Sequence, residues 1–171
     1  FEGEAFSTQA ALNFPGSSPC EIFVAALGPQ MLMVTAELAD GTLTWCTGAK
    51  TLSEHIVPTV NDAAAEAGRP APRVIAALPV CVTADSEGAR ERAAQVFAMY
   101  GSLPSYRAML DRAGVAGPEG IAITGTETEV TERIRALADI GVTDFAAVEF
   151  ADPGNIDEQA ATRAAVKAAM V

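Results

Sequence analysis

The stretch that decides the fold runs from Glu21 to Trp45 and reads EIFVAALGPQMLMVTAELADGTLTW. An apolar run of strand length is followed by Gly28-Pro29, a segment of helical spacing, an Asp40-Gly41 turn and a second strand. This order predicts a βαβ unit. Pro29 occupies the first helical position, where a missing N–H costs nothing, and Gly28 lets another group approach the backbone. The start of such a helix attracts anions.

The same alternation continues along the chain. Four apolar strands are predicted over 22–27, 42–46, 73–83 and 144–150, and helical segments separate them. A short apolar piece, Ile121 to Ile123, lies before the last helix–strand pair. Strands that alternate with helices are typical of a parallel α/β protein. The second strand therefore delivers Trp45, Cys46 and Thr47 to the sheet edge where such proteins bind ligands.

Composition limits the classes of function. The chain has 171 residues, half of them hydrophobic, and a formal charge of −11 with 11 scattered basic residues. Nucleic-acid binding is not expected, because it depends on clustered Lys and Arg. No apolar run reaches the roughly 18 residues of a membrane helix, and we expect a cytoplasmic protein.

The cysteines do not indicate a metal site. Cys20, Cys46 and Cys81 form no CxxC pair and have no histidine cluster nearby, so we expect free thiols and no metal. Cys81 lies within an apolar strand and is interpreted as inert packing. Cys46 lies near the predicted ligand edge and is interpreted as lining a cofactor rather than as a nucleophile, because no base is identified beside it.

Five segments, taken together, resemble a known family. They are VAALGPQM (24–31), ELADGTLTW (37–45), HIVP (55–58), ITGTETEV (123–130) and ADIGVTDF (138–145). In order and spacing they are similar to the C-terminal half of a luciferase-like monooxygenase, and the closest branch is the one that uses coenzyme F420. The resemblance covers nearly the whole chain. No single motif within it would suffice.

The resemblance implies strands five to eight of a (β/α)8 TIM barrel. Residues 1–171 would then form a single C-terminal half-barrel domain, with a hairpin or loop excursion over 1–20 and four β/α modules over 21–171. A complete barrel needs roughly 250 residues, so the chain is expected to be a fragment or a truncated relative. Its first and last strands would be open edges. The expected partners are therefore the missing N-terminal half-barrel or a second copy of the chain, besides a small-molecule substrate.

The resemblance also implies a cofactor site. Coenzyme F420, or alternatively FMN, would lie across the C-terminal mouth of the barrel, with its phosphate held at Leu27, Gly28, Gln30 and Met31. The alternative for Gly28 is a tight turn that needs glycine only for its geometry. Trp45 either packs beside the cofactor ring or belongs to the core, and Cys46 is placed on the same wall.

Substrate contacts are expected from three further residues. The resemblance implies that Lys50 and Thr47 meet an anionic group of substrate or cofactor, and the alternative for Lys50 is a solvated loop lysine. Glu149 is expected near the barrel mouth, where it would orient substrate or move a proton, or else it pairs with an arginine outside the mouth. His55, the sole histidine, is interpreted as a structural or surface residue rather than as a general base.

The expected activity is hydride transfer between the cofactor and a small organic substrate. The family's catalytic acids and histidine belong to the first half of the barrel, so no catalytic residue is assigned here. The fragment alone is expected to be inactive. One alternative is a non-catalytic half-barrel that binds a phosphorylated ligand or self-assembles. Another is a doubly wound nucleotide-binding domain, which is disfavoured because no G-x-G-x-x-G follows the first strand.

Overall fold

A five-stranded parallel sheet forms the centre of the protein. The computed structural model describes residues 2–11, 16, 18 and 20–170. Its strands are β1 (Phe23–Ala25), β2 (Gly41–Trp45), β3 (Arg73–Val82), β4 (Ile123–Gly125) and β5 (Asp144–Glu149). All four strand pairings are parallel, as the alternation of strands and helices predicts.

Strand β3 organises the sheet, because it carries neighbours on both edges. Its residues 73–77 pair with β2, and its residues 75–80 pair with β5. The Val80 carbonyl accepts from Phe150 N–H, whereas Thr83 N–H donates to the Gly125 carbonyl. In a strand, the backbone N–H and C=O groups of residues an odd number of positions apart point to opposite edges of that strand. Strand β4, which pairs with residues 80–82, therefore continues the β2 edge beyond the point where β2 ends.

Helices pack against this sheet. They are α1 (Pro29–Leu38), α2 (Ala49–Thr51), α3 (Val57–Glu66), α4 (Ser86–Val96), α5 (Ala98–Ser102), α6 (Pro104–Ala113), α7 (Glu127–Asp139) and α8 (Ile156–Ala169). A 3₁₀ turn spans Pro118–Gly120. The sheet order is β1-β2-β3-β4, and β5 pairs with the other edge of β3. Strands β1, β2, β3 and β5 with their helices form a section of a TIM-barrel-like fold.

The two faces of the sheet differ in burial. Val74, Ala76, Leu78 and Val80 alternate along β3 and are buried in the core beneath the helices. The opposite face corresponds to the interior of a complete barrel. It carries Leu43, which is 36% exposed, and Val148, which is 37% exposed. Leu43 and Val148 are therefore in contact with solvent, whereas Ala77 and Cys81 of the same face are buried.

A π-helical turn joins α2 to α3. It spans Leu52–Ile56, and Val57 N–H donates to the Leu52 carbonyl, five residues back. Pro58 follows immediately. In a regular α-helix its ring would clash with the carbonyl four residues earlier, and the wider π turn accommodates it. The sequence predicts a kink or a late helix start at Pro58. The structure shows a π-helical turn immediately before it, and the regular helix α3 begins only at Val57.

The N-terminal segment is only partly described. Glu2 and Ser7 form an antiparallel bridge, and Gly3 N–H donates to the Phe6 carbonyl at 2.9 Å. The rest of the predicted excursion over 1–20 includes residues 1, 12–15, 17 and 19, which lie outside the described residues. Elsewhere in the described ranges, no helix has the length and apolarity that a membrane span requires.

Arg73 ties together three strand beginnings at the end of the sheet opposite the ligand edge. Its guanidinium donates to both carboxylate oxygens of Asp144 at the start of β5, with Nε at 3.0 Å from Oδ2, and also pairs with Glu21 just before β1. The guanidinium lies 5.1 Å from the centroid of the Phe23 ring. The bond from Arg73, with a second from Thr143, lowers the pKa of Asp144.

We expect Arg73→Met to lower the free energy of unfolding, because it removes the bidentate pair that links β3 to β5 and the second pair with Glu21 before β1. Urea unfolding followed by Trp45 fluorescence measures this loss. The matched control is Arg163→Met, which breaks the more exposed pair with Glu149 and should lower the stability less than Arg73→Met does. Equal losses in the two variants would contradict a special role for Arg73.

The Arg73 effect should also depend on pH. A carboxyl whose folded-state pKa is lowered stabilises the fold above its ordinary value, 3.8 for Asp144, and loses that contribution as the pH falls through the lowered value. The stability gap between wild type and Arg73→Met should therefore shrink below pH 3.8. A gap that widens in acid would show that the pair does not act through the Asp144 carboxylate.

Candidate functional site

A pocket opens where β1 and β2 end. Its volume is ≈ 300 Å³, and its lining consists of Ala25, Ala26, Leu27, Gly28, Met31, Leu43, Trp45, Ser105 and Tyr106. Because the carboxyl ends of parallel strands meet at one edge, the start of α1 and the end of β2 come together here. Four of the predicted cofactor-binding residues, Leu27, Gly28, Met31 and Trp45, thus share one cavity.

The start of α1 forms one wall of the pocket. Gly28 is the N-cap residue, Pro29 follows it, and no side chain caps the helix. Leu32 N–H makes the first helical bond, to the Gly28 carbonyl at 3.0 Å. The N–H groups of Gln30 and Met31 precede that bond and have no partner within the helix. Gln30 is exposed beside the pocket without lining it.

Gly28 is not required by its own backbone. Its φ of −79° and ψ of 150° are ordinary values for any L-residue. A Cβ built at this position meets no atom within 4 Å. The glycine is therefore explained neither by turn geometry nor by packing within the described chain. It leaves open space directly over the helix start.

Trp45 forms another part of the pocket wall. Its indole meets the rings of Phe97 and Tyr100 edge-on, with centroids 5.6 Å and 5.5 Å away. Tyr100 in turn meets Tyr106 at 5.0 Å. Trp45 is half-buried, and its Nε1 is buried with no hydrogen-bond partner in the described part of the chain. A buried indole N–H normally finds an acceptor.

Ser105 and Tyr106 close the pocket and were not among the sequence-predicted residues. They belong to the first turn of α6, which also begins with a proline and has no side-chain cap. Thr51 Oγ1 donates to the Met109 carbonyl at 2.8 Å and fixes α6 against α2. The sequence indicates a helix after Pro104, but it carries no signal that this helix folds back over the first strand.

Cys46 and Thr47 lie in the core and not in the pocket lining. Cys46 is fully buried and has a φ of 50°, a left-handed conformation that is uncommon outside glycine, asparagine and aspartate. Burial raises the pKa of its thiol to about 12, which keeps it protonated near neutral pH. Thr47 is also buried, and its Oγ1 donates to the Trp45 carbonyl at 3.2 Å.

Lys50 and Glu149 lie away from the pocket. Lys50 is exposed and lines a different cavity of ≈ 310 Å³, beside Arg133. Glu149 pairs in register with Val80, whose side chain faces the helical layer. Its carboxylate accepts from Arg163 Nε of α8 at 2.9 Å. Glu149 therefore pairs with an arginine, as in the second of the two alternatives that the sequence left open.

His55 connects the π-helical turn to the pocket wall. Its Nε2 lies 3.0 Å from the carbonyl oxygen of Leu27. The residue is 8% exposed, so it is not a surface histidine. The expectation of a structural role agrees with this contact, although the sequence did not indicate its partner.

Comparison of the sequence with known proteins identifies relatives of this chain. Residues 1–144 match the sequence model of a family described as luciferase-like monooxygenase. A 5,10-methylenetetrahydromethanopterin reductase from Archaeoglobus fulgidus is 32% identical over 180 residues, which cover 86% of this chain and 53% of that protein. The chain thus spans about half the length of this relative.

Solved structures share the fold. The coenzyme F420-dependent tetrahydromethanopterin reductase from Methanopyrus kandleri superposes with a TM-score of 0.63 at 24% identity, over 83% of this chain and 48% of that chain. EDTA monooxygenase from Chelativorans sp. BNC1 superposes with a TM-score of 0.66 at 17% identity, over 99% and 48%. At these identities the likeness concerns the fold.

Thiol titration tests the placement of the cysteines. Cys20 is exposed, whereas Cys46 and Cys81 are buried, and burial raises their thiol pKa values to about 12 and about 11. We expect one thiol to react promptly with a disulfide reagent at neutral pH and the other two to react only after unfolding in urea. Prompt reaction of more than one thiol in the native protein would contradict this placement.

Proposed function

Because the chain belongs to the luciferase-like monooxygenase family, we propose that it supplies part of the cofactor site of an F420-dependent oxidoreductase. The start of α1 would hold the anionic tail of the cofactor, and the wall that includes Trp45 would shield one side of its ring. FMN is the alternative cofactor. The reaction of the whole protein would be hydride transfer between this cofactor and a small organic substrate.

The observation that carries the proposal is the open space at Gly28. Neither φ, ψ nor a neighbouring atom demands glycine there, so the simpler explanation of a tight turn has no support. A missing side chain over uncapped helical N–H groups is what a phosphate oxygen needs in order to approach. The helix dipole adds to the attraction.

The remaining walls suit an aromatic ring. Leu43, Met31 and Trp45 offer apolar surface, and the buried Nε1 of Trp45 lacks an acceptor among the described residues. A flavin or deazaflavin ring carries both an apolar face and polar atoms along its edge. The backbone N–H groups at the start of α1 therefore suit an anion, and the apolar walls with the Trp45 indole suit a heteroaromatic ring.

Each residue has a limited role in this proposal. When bound, the flavin or deazaflavin would supply the hydride chemistry. Gly28, Gln30 and Met31 bind the anion through their backbone N–H groups, and Leu43 and Trp45 exclude water from the ring. No role is assigned to Cys46 and Thr47, which are buried in the core, or to Lys50 and Glu149, whose side chains lie at another cavity and against Arg163.

The choice of F420 rests on relatives. A sequence relative of this chain is named as a methylenetetrahydromethanopterin reductase, and one solved structure of the same fold is named as an F420-dependent tetrahydromethanopterin reductase. These names support a deazaflavin reductase over an oxygen-using enzyme. Another solved structure of the same fold, the oxygenating constituent of 3,6-diketocamphane monooxygenase from Pseudomonas putida, is named as a complex with FMN, and it keeps FMN as the alternative.

We expect Gly28→Val to weaken binding of phosphate-bearing cofactors by about tenfold or more, because the side chain displaces charge-assisted hydrogen bonds worth about 1.5–3 kcal/mol each. Quenching of Trp45 fluorescence by F420 and by FMN measures this change. The backbone at Gly28 accepts valine without strain, so unfolding temperature should hardly change.

The matched control for Gly28→Val is Leu38→Gln at the other end of the same helix, where the side chain is exposed. This variant should bind both cofactors as the wild type does. Equal affinity of the Gly28→Val variant and the wild type for F420 and FMN would overturn the assignment of the site.

A second candidate function is assembly through the sheet. Within the described residues, β1 pairs with β2 alone and β5 pairs with β3 alone, which leaves one edge of each strand open. The apolar face with Leu43 and Val148 is exposed as well. Either a second copy or an N-terminal half-barrel would cover both features.

We expect the wild-type chain on its own to sediment as a dimer at micromolar concentration, and Val148→Lys to shift it towards monomer, because a lysine there opposes burial of the open face. Met99→Lys is the matched control, since Met99 is 61% exposed on α5. A wild-type chain that sediments as a monomer throughout would contradict self-assembly and leave the cofactor proposal intact.

A further inference from the structure

His55 makes a directed contact with the turn that begins α1. A carbonyl oxygen only accepts hydrogen bonds, so the 3.0 Å contact with the Leu27 carbonyl requires the proton on Nε2 of His55. The imidazole is therefore held as a donor within the core. It reaches a residue 28 positions earlier in the chain.

This contact controls the direction of a neighbouring N–H group. The Leu27 carbonyl and the Gly28 N–H belong to one peptide unit, which is planar and trans, so the two groups point in opposite directions. A bond that draws the carbonyl towards His55 therefore turns the Gly28 N–H away from His55. Because Gly28 has no Cβ, its backbone would otherwise rotate with little steric resistance.

The π-helical turn places the imidazole for this contact. His55 lies inside the segment Leu52–Ile56, where the turn takes up one residue more than an α-helix does. That extra residue changes which side chains of the helix face the sheet. Leu52 and Ile56 of the same segment are buried in the core, and His55 is buried beside them.

We propose that His55 is a positioning residue for anion binding: it fixes the Leu27–Gly28 peptide so that the Gly28 N–H stays available, with those of Gln30 and Met31, to a phosphate group. The inference rests on the proposed function, since it assigns a role at the same helix start. His55 touches no ligand in this account. It acts through the peptide unit.

The test compares His55→Gln with His55→Leu. The glutamine side chain keeps an N–H donor at nearly the reach of Nε2, whereas leucine keeps volume without a donor. The probes are FMN and riboflavin, which differ by the phosphate alone, and the readout is the ratio of their Kd values from Trp45 fluorescence. A structural role alone would weaken both ligands together and leave this ratio unchanged.

We expect His55→Leu to reduce the preference for FMN over riboflavin by about tenfold, the effect of losing one directed donor bond. His55→Gln should retain most of the preference. Thr162→Val is the control, because it removes another buried side-chain bond, the one that Thr162 Oγ1 of α8 accepts from Val82 N–H, outside this pocket. It should lower stability without changing the ratio.

Two results separate this inference from the proposed function. A preference that survives His55→Leu but is lost in Gly28→Val overturns the role of His55 and leaves the site intact. A wild-type chain with no preference for FMN over riboflavin overturns both. If His55→Leu does not fold, His55→Asn replaces it, since its amide stops short of the Leu27 carbonyl, and retention of the preference there overturns the inference.

Discussion

Parallel pairing on both edges of β3 is the constraint on which the rest of the structure depends. This strand binds β2 and β4 along one edge and β5 along the other. Parallel strands bring all their carboxyl ends to one side, and the loops that follow them therefore converge. At the opposite end, Arg73 fixes where three strands begin. Register at one end thus determines which side chains meet at the other.

The candidate site arises from two helix starts that this arrangement brings together. α1 begins at Gly28, and α6 begins beside Ser105 and Tyr106, on the same pocket. Both helices carry proline at their first turn and lack a side-chain cap. The positive ends of two helix dipoles therefore face one cavity. In a chain of charge −11, this is a local environment suited to an anion.

Much of the fold could be predicted from the sequence. The apolar runs that begin at Ile22, Thr42, Arg73 and Asp144 correspond to β1, β2, β3 and β5, because strands buried in a parallel sheet leave continuous apolar segments. Strand β4 could not be predicted from its residues. The apolar piece there spans only 121–123, whereas the run that contains β1 spans 22–27, and β4 pairs with β3 beyond the point where β2 ends at Trp45.

The site was predictable only in part. Gly28 and Pro29 predict the helix start. The face on which a β5 side chain lies, in contrast, depends on the register of that strand. Ala146 and Ala147 give no alternation, so the sequence did not reveal that Glu149 faces the helices. The left-handed turn at Cys46 and the π turn at Leu52–Ile56 follow from packing and from Pro58, and no local pattern of residue types specifies either of them.

The most direct test of the central claim is to follow backbone amide resonances by NMR during titration with inorganic phosphate, with chloride at equal ionic strength as reference. We expect the largest phosphate-specific chemical-shift changes at the backbone N–H groups of Gly28, Gln30 and Met31. Shifts that are absent there, or that are largest at the start of another helix such as α4 or α8, would contradict the claim.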